Sequence, residues 1–246
     1  MEEIIQPCST LRDLGVILSD TRRFDSHVEK VTKTVRQKAG WILRTFYSRR
    51  TDVLKHLWKT LVQCHIDYSS QLYLTEEAHN MAAIEKLFYD FSARIPEVRG
   101  QDYWTRLSSL KMYSQQRRMQ RYKIIYIWKI LEKLAPNCGV ELTPENPRLG
   151  RKVKIPSLKP GGRRAVQTMR EHSFQISGAR LFNSIPKKIR EMKYHQPGDQ
   201  DEFKAALDQY LGRIPDQPRI GGLVPTAVDG VTGKQSNSLL AWRPET

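Results

Sequence analysis

The sequence predicts a mainly α protein: a helical bundle preceded by a short strand, with a small irregular β element and a further C-terminal helix. Three observations carry this. Apolar residues recur at steps of three and four in several long stretches, which places them on one helix face. A strand-like run, Leu11–Leu18, stands ahead of the first of these stretches. A Pro- and Gly-rich segment, 135–162, separates the long helices from the shorter elements that follow.

Residues 1–10 carry no strong pattern. The strand Leu11–Leu18 ends at a turn, Ser19-Asp20. The first helix is expected over Ser26–Arg49, with Ser26 and Glu29 in the S-x-x-E relation of a capping box. Val28, Val31, Val35, Ala39, Ile42 and Phe46 make its apolar face, and Lys30, Lys33, Arg36, Lys38 and Arg44 lie off it or on its flanks. The second helix starts at Thr51 or Asp52, either of which can cap it. Its stripe is Leu54, Leu57, Trp58, Leu61 and Ile66. The third runs from about Glu76 to Arg94, buries Ile84, Leu87, Phe88, Phe91 and Ile95, and is stopped by Pro96.

Asp102–Tyr113 reads as a short helix and a connector. The fourth long helix is expected over Ser114–Leu134, with Met119, Tyr122, Ile125, Trp128, Leu131 and Leu134 inward. Arg117, Arg118, Arg121, Lys123 and Lys129 form its polar side. Short strands are expected at Arg151–Pro156, Arg163–Thr168 and Ser173–Ile176, followed by helices at Ser177–Ile185 and Asp201–Leu211. Gly212 can end the last of these. From Pro215 the composition turns to Pro, Gly, Ser and Thr, which predicts a mostly disordered tail. The division expected is 1–20, 21–100, 101–214 and 215–246.

A net charge of +15, from 41 Lys and Arg against 26 Asp and Glu, points to polyanions as partners. The charge is uneven. Arg22–Lys59 holds eleven basic and three acidic residues, and Arg148–Lys193 thirteen and two. Clustered bases form stripes that can track a phosphate backbone. Trp41, Tyr47, Trp58, Trp104, Tyr113 and Trp128 are interleaved with them, and such rings either stack on bases or pack in a core. Helical spacing favours the core for Trp58 and Trp128, whereas Trp41 lies off its helix's stripe. Gly161-Gly162 before Arg163-Arg164 makes a basic turn that can touch phosphate.

Other chemistry is not suggested. Cys8, Cys64 and Cys138 form no CxxC pair, and no HExxH, GxSxG, phosphate-binding loop or GxGxxG occurs. No metal, cofactor or small-molecule substrate is expected. The acidic start Met1-Glu2-Glu3 and the lack of a long apolar run predict an intracellular protein, nuclear or cytoplasmic, with no membrane partner.

Five segments in order resemble the C-terminal part of the reverse transcriptase of non-LTR retrotransposons of the jockey and chicken-repeat type. Leu11–Leu18 followed by Phe24-Asp25-Ser26-His27-Val28 is similar to a DLGV strand with its F-x-x-H-I turn and helix. Ile66–Tyr73 is similar to L-D-Y-x-S-x-x-W, with Tyr73 in place of Trp. Arg121–Leu131 resembles a YK-aliphatic region, and Ala179–Pro186 an R-x-W-N-x-L-P segment with Phe182 and Ile185 in place of Trp and Leu. Phe203–Asp208 resembles F-K-x-x-L-D.

The resemblance implies a thumb-like bundle and a palm–thumb junction at Leu11–Arg49. Asp13, Leu14, Gly15 and Val16 become the primer-grip-like strand. Lys30, Lys33, Arg36, Lys38 and Arg44 become backbone contacts, joined by Arg163 and Arg164. The partner implied is a template–primer duplex of RNA or DNA, with an upstream polymerase domain as a further partner in trans. The family's catalytic aspartates lie in the palm, upstream of these segments, so the chain is expected to be a truncated, non-catalytic part. The alternative is a degenerate remnant or a protein-interaction domain with no nucleic-acid role.

Overall fold

The computed structural model of the chain describes residues 8–21, 23–73, 78–144, 148–157, 170–171, 173–218, 220 and 239. It is mainly helical, with a two-stranded antiparallel sheet ahead of the first helix. The chain divides into two compact units, Met1–Met112 and Tyr113–Thr246.

In the first unit, the stretch expected as one strand is a hairpin. β1 (Thr10–Asp13) pairs with β2 (Val16–Ser19), with Asp13 opposite Val16 and Thr10 opposite Ser19. The two-residue turn between them has both residues at positive φ, Leu14 at 44° and Gly15 at 86°. This is the backbone of a type I′ turn, whose twist matches that of the flanking strands. Gly15 adopts it freely, while Leu14 does so against its Cβ.

Helix α1 spans Asp25–Thr45 and buries Val28, Val31, Val35 and Ile42. It has no capping box, because Phe24 occupies the N-cap and no side chain bonds there. Instead Asp25, in the first turn, accepts from His79 Nε2 at 2.7 Å and Asn80 Nδ2 at 3.0 Å, and pairs with Arg23 at 2.9 Å. The hydrogen bond from His79 is the main cause that holds the Asp25 carboxyl below its ordinary range. A carboxylate here also faces the positive end of the helix dipole.

The second helix is interrupted. α2 (Thr51–Leu57) passes through a π turn, Trp58–Val62, into α3 (Gln63–Asp67). Neither Thr51 nor Asp52 caps α2; Arg50 stands at the N-cap, and Asp52 pairs with it at 2.9 Å. The wider π turn rotates the stripe, so Val62 is buried where Leu61 was expected, and Leu61 is exposed. α4 (Ser70–Tyr73) follows, then α5 (Ala78–Ser92), which buries Ile84, Leu87, Phe88 and Phe91. Trp58 lies against Phe88 and Phe91, with ring centroids at 5.0 and 4.7 Å.

α6 (Tyr103–Ser109) belongs to the same unit, so the division falls after Met112 where Gly100 was the expected end. Asp102 caps α6 by accepting from the backbone N–H groups of Trp104 and Thr105. Tyr103 donates its hydroxyl hydrogen to the buried Glu85 of α5.

The second unit is built on α7 (Gln115–Leu131), with Ser114 as its cap. α8 (Phe174–Ser184) packs along it, and α9 (Lys187–Arg190) and α10 (Asp199–Leu211) follow. Ser173–Ile176 is therefore the start of a helix, not a strand: Ser173 accepts from Ser177 N at 2.9 Å and opens its first turn. Within Arg151–Pro156 a single antiparallel bridge forms, Val153 opposite Leu142, closed by hydrogen bonds from Thr143 N to Lys152 O and from Lys154 N to Glu141 O. Asn183 holds that bridge by accepting from Val153 N at 2.9 Å and donating to Val153 O at 2.8 Å. Trp128 stacks on Phe203 at 4.6 Å in the middle of the core. Arg163–Thr168 lies outside the described residues, as does most of 215–246. Pro215 and Asp216, expected to open a disordered tail, are bound to the start of α7.

Candidate nucleic-acid interface

The outer face of α1 carries a group of cations on one side of the helix. Its core positions fix the rotation of the helix, and Lys30, Lys33, Arg36 and Arg44 then fall within about 120° of one another on the far side. Lys33, Arg36 and Arg44 are exposed and Lys30 is half-buried. None of the four has an ion-pair partner among the described residues. Lys38 is separate: it sits half-buried on the opposite flank, where burial first and its charge second push the His65 pKa down. Glu29, one turn before Lys33, is the acidic residue on the basic face.

The residues that the resemblance makes a primer-grip-like strand divide by exposure. Val16 is buried and cannot reach a ligand, whereas Asp13 is exposed and Leu14 is 82 % exposed at the hairpin tip. Tyr68 donates to Leu14 O at 2.7 Å and Ile17 N donates to His27 Nδ1 at 3.3 Å, which hold the hairpin on the bundle. Arg163 and Arg164 lie outside the described residues.

Two aromatic residues complete the face. Trp41 is 48 % exposed on the same side as Lys33 and Arg44, and its ring meets Phe46 edge-on at 5.7 Å. Tyr47 is 96 % exposed just beyond the helix. Trp58 and Trp128, by contrast, are fully buried, as their helical spacing predicts. A cavity of about 190 Å³ beside the face is lined by Val35, Arg36, Gly40, Leu43, Phe91 and Arg94. Arg94 was not singled out from the sequence, since only folding brings α5's end beside Arg36.

The basic residues of α7 play a different part from a solvated face. Arg117 is fully buried, and burial pushes its pKa down. Its guanidinium donates to Pro215 O at 2.8 Å, and the negative charge of Asp216 opposes that downward shift. Arg121 grips Asp208 with two bonds, at 2.5 and 2.8 Å, and that bond holds its pKa up. Lys123 is buried and donates to Ser177 Oγ at 2.9 Å. Arg151 pairs with Glu132, and Arg190 donates to the carbonyls of Leu149, Arg151 and Ile185. The local pattern marked α7's bases as polar surface, but the partners of Arg117, Arg121 and Lys123 are distant in the chain.

Among the described residues, no three His, Cys, Asp or Glu side chains gather as a metal-binding group, and no helix is long and apolar enough to cross a membrane. Comparison with protein-family models, with curated proteins and with solved structures finds no match.

Proposed function

We propose that the chain binds nucleic acid non-specifically through the outer face of α1, as the thumb-like and C-terminal part of a non-LTR retrotransposon reverse transcriptase, without catalysing a reaction itself. The observation that carries this reading is the contrast between the two sets of cations. Arg117, Arg121, Lys123, Arg151 and Arg190 serve internal bonds, whereas Lys33, Arg36 and Arg44 share one exposed face with no ion-pair partner among the described residues. Phosphate contacts of that kind position a strand without reading its sequence. The order of the five resembling segments supports the family, and the net charge of +15 supports a polyanion.

Binding measured by fluorescence anisotropy across a salt series tests it. Affinity should fall steeply with salt, and the triple variant Lys33→Ala, Arg36→Ala, Arg44→Ala should lower the slope by about 0.9 per lost contact on duplex. No binding to RNA, DNA or hybrid at low salt would overturn it.

A second reading, a protein-interaction domain, is favoured by the exposed apolar side chains of Leu14 and Tyr68 at the hairpin tip. An upstream polymerase domain is the partner it names, and co-elution of the two chains, lost in Leu14→Asp, is its test. A degenerate remnant predicts no cooperative thermal melt. The pairing of β1 with β2 supplies the strand's partner from within the same stretch, which counts against a remnant.

A further inference from the structure

We propose that the C-terminal end of α1 is a stacking platform for unpaired bases, so that the chain takes single-stranded nucleic acid in preference to blunt duplex. This rests on the nucleic-acid reading above and adds the state of the bases.

Indole and phenol rings are mostly removed from water in folded proteins. Trp41 and Tyr47 are not: one is about half exposed and the other almost wholly so. Phe46 meets Trp41 edge-on, with 89° between the rings, so it props the indole while the remaining surface stays in water. The chain leaves the helix at Phe46, whose φ of −92° and ψ of 117° are extended, and this carries Tyr47 outward. Both rings thus stand at one end of the basic face, the indole braced by Phe46.

Arg44 follows Trp41 by three residues, which puts it beside the indole on the helix surface. Lys33 lies three turns before Arg44 on the same side, about 16 Å from it along the axis. A single strand laid along this line meets cations with its phosphates and rings with its bases. In a blunt duplex the base faces are already stacked on one another, so the platform gains only at the ends. Stacking on aromatic side chains tolerates any base, because every base has a π-face.

The full chain is tested with a labelled single-stranded oligonucleotide and a blunt duplex of equal length at low salt. The single strand should bind about tenfold more tightly. Trp41→Ala should remove about tenfold of the single-strand affinity, Tyr47→Ala should act in the same direction, and both should lower duplex affinity far less, by the share that stacking at its ends contributes. Trp41→Phe should retain most of it. Because Tyr47 is almost wholly in water, its variant keeps the test valid should Trp41→Ala fail to fold. Equal affinity for single strand and duplex, or an unaltered single-strand affinity in both alanine variants, overturns the platform while the basic face stands. Absence of binding to either probe overturns both.

Discussion

Tyr68 donates its hydroxyl hydrogen to the carbonyl oxygen of Leu14 at 2.7 Å, 54 positions away, and so fastens the hairpin tip to the bundle. The tyrosine also lies under the turn, where a Cβ on Gly15 would stand 3.7 Å from its ring. Removing only the hydroxyl, in Tyr68→Phe, should cost about 0.5–1.5 kcal/mol, the net worth of one hydrogen bond. Urea denaturation reads the loss, and faster amide exchange at Ile17 should locate it in the hairpin.

The turn itself predicts two substitutions of opposite sign. Leu14 has φ 44° and Gly15 has φ 86°. Asparagine tolerates the left-handed region and is favoured at the first position of a type I′ turn. Leu14→Asn should therefore raise stability by up to about 1 kcal/mol, while Gly15→Ala should lower it by about 1 kcal/mol or more. Thermal midpoints of the two variants, moving apart around the parent, check this.

His27 makes the hairpin's docking sensitive to pH. It is buried, accepts from Ile17 N through Nδ1, and lies edge-on to Tyr73 at 4.7 Å. Burial first, and the charge of Lys30 second, push its pKa below 6.5. A depressed folded-state value means the unfolded chain takes the proton more readily, so stability is present above 6.5 and is lost as pH falls below it. Protonation would also turn Nδ1 from acceptor to donor against Ile17 N–H. The denaturation midpoint should fall between neutral and mildly acid pH, and fall less in His27→Gln. His65, lowered in the same direction, remains in both proteins and sets the residual slope.

Asp216 ties the chain after α10 back to the start of α7. It accepts from Ser114 N at 2.7 Å and Ser114 Oγ at 2.6 Å, and it faces the buried Arg117. Asp216→Asn removes the countercharge of a guanidinium that is out of water. Losing a countercharge near a buried ion costs more than losing an exposed pair such as Lys204–Asp201, which is worth less than about 1 kcal/mol. Asp216→Asn should thus destabilise far more than Asp201→Asn in calorimetry.

Helix faces were legible in the sequence where the apolar residues alone set them. Val28, Val35 and Ile42 of α1, and Ile84, Phe88 and Phe91 of α5, are buried as their spacing requires. The hairpin was hidden because Leu14 stands where the turn signature calls for Asn, Asp or Gly, and so prolongs the strand pattern. Leu61 and Val62 exchanged places because a π turn changes the period without a residue type that announces it. The site was legible as chemistry but not as partnership. Lys33 and Arg117 look alike in the sequence, yet one is exposed and the other buried beside Asp216, about a hundred residues on.

The π turn at Trp58–Val62 also sets how this chain tolerates a change in length. Such a turn holds one residue more than the α turn it replaces. Loss of Thr60 or Leu61, both in water, would let α2 and α3 join as one regular helix. Leu54 and Trp58 would keep their phase, and Gln63 and Ile66 would still turn inward at the next two steps. The same loss elsewhere in the helix would swing every later side chain by about 100°. The segment therefore holds a spare residue, and single-residue deletions should be absorbed there and rejected by its neighbours.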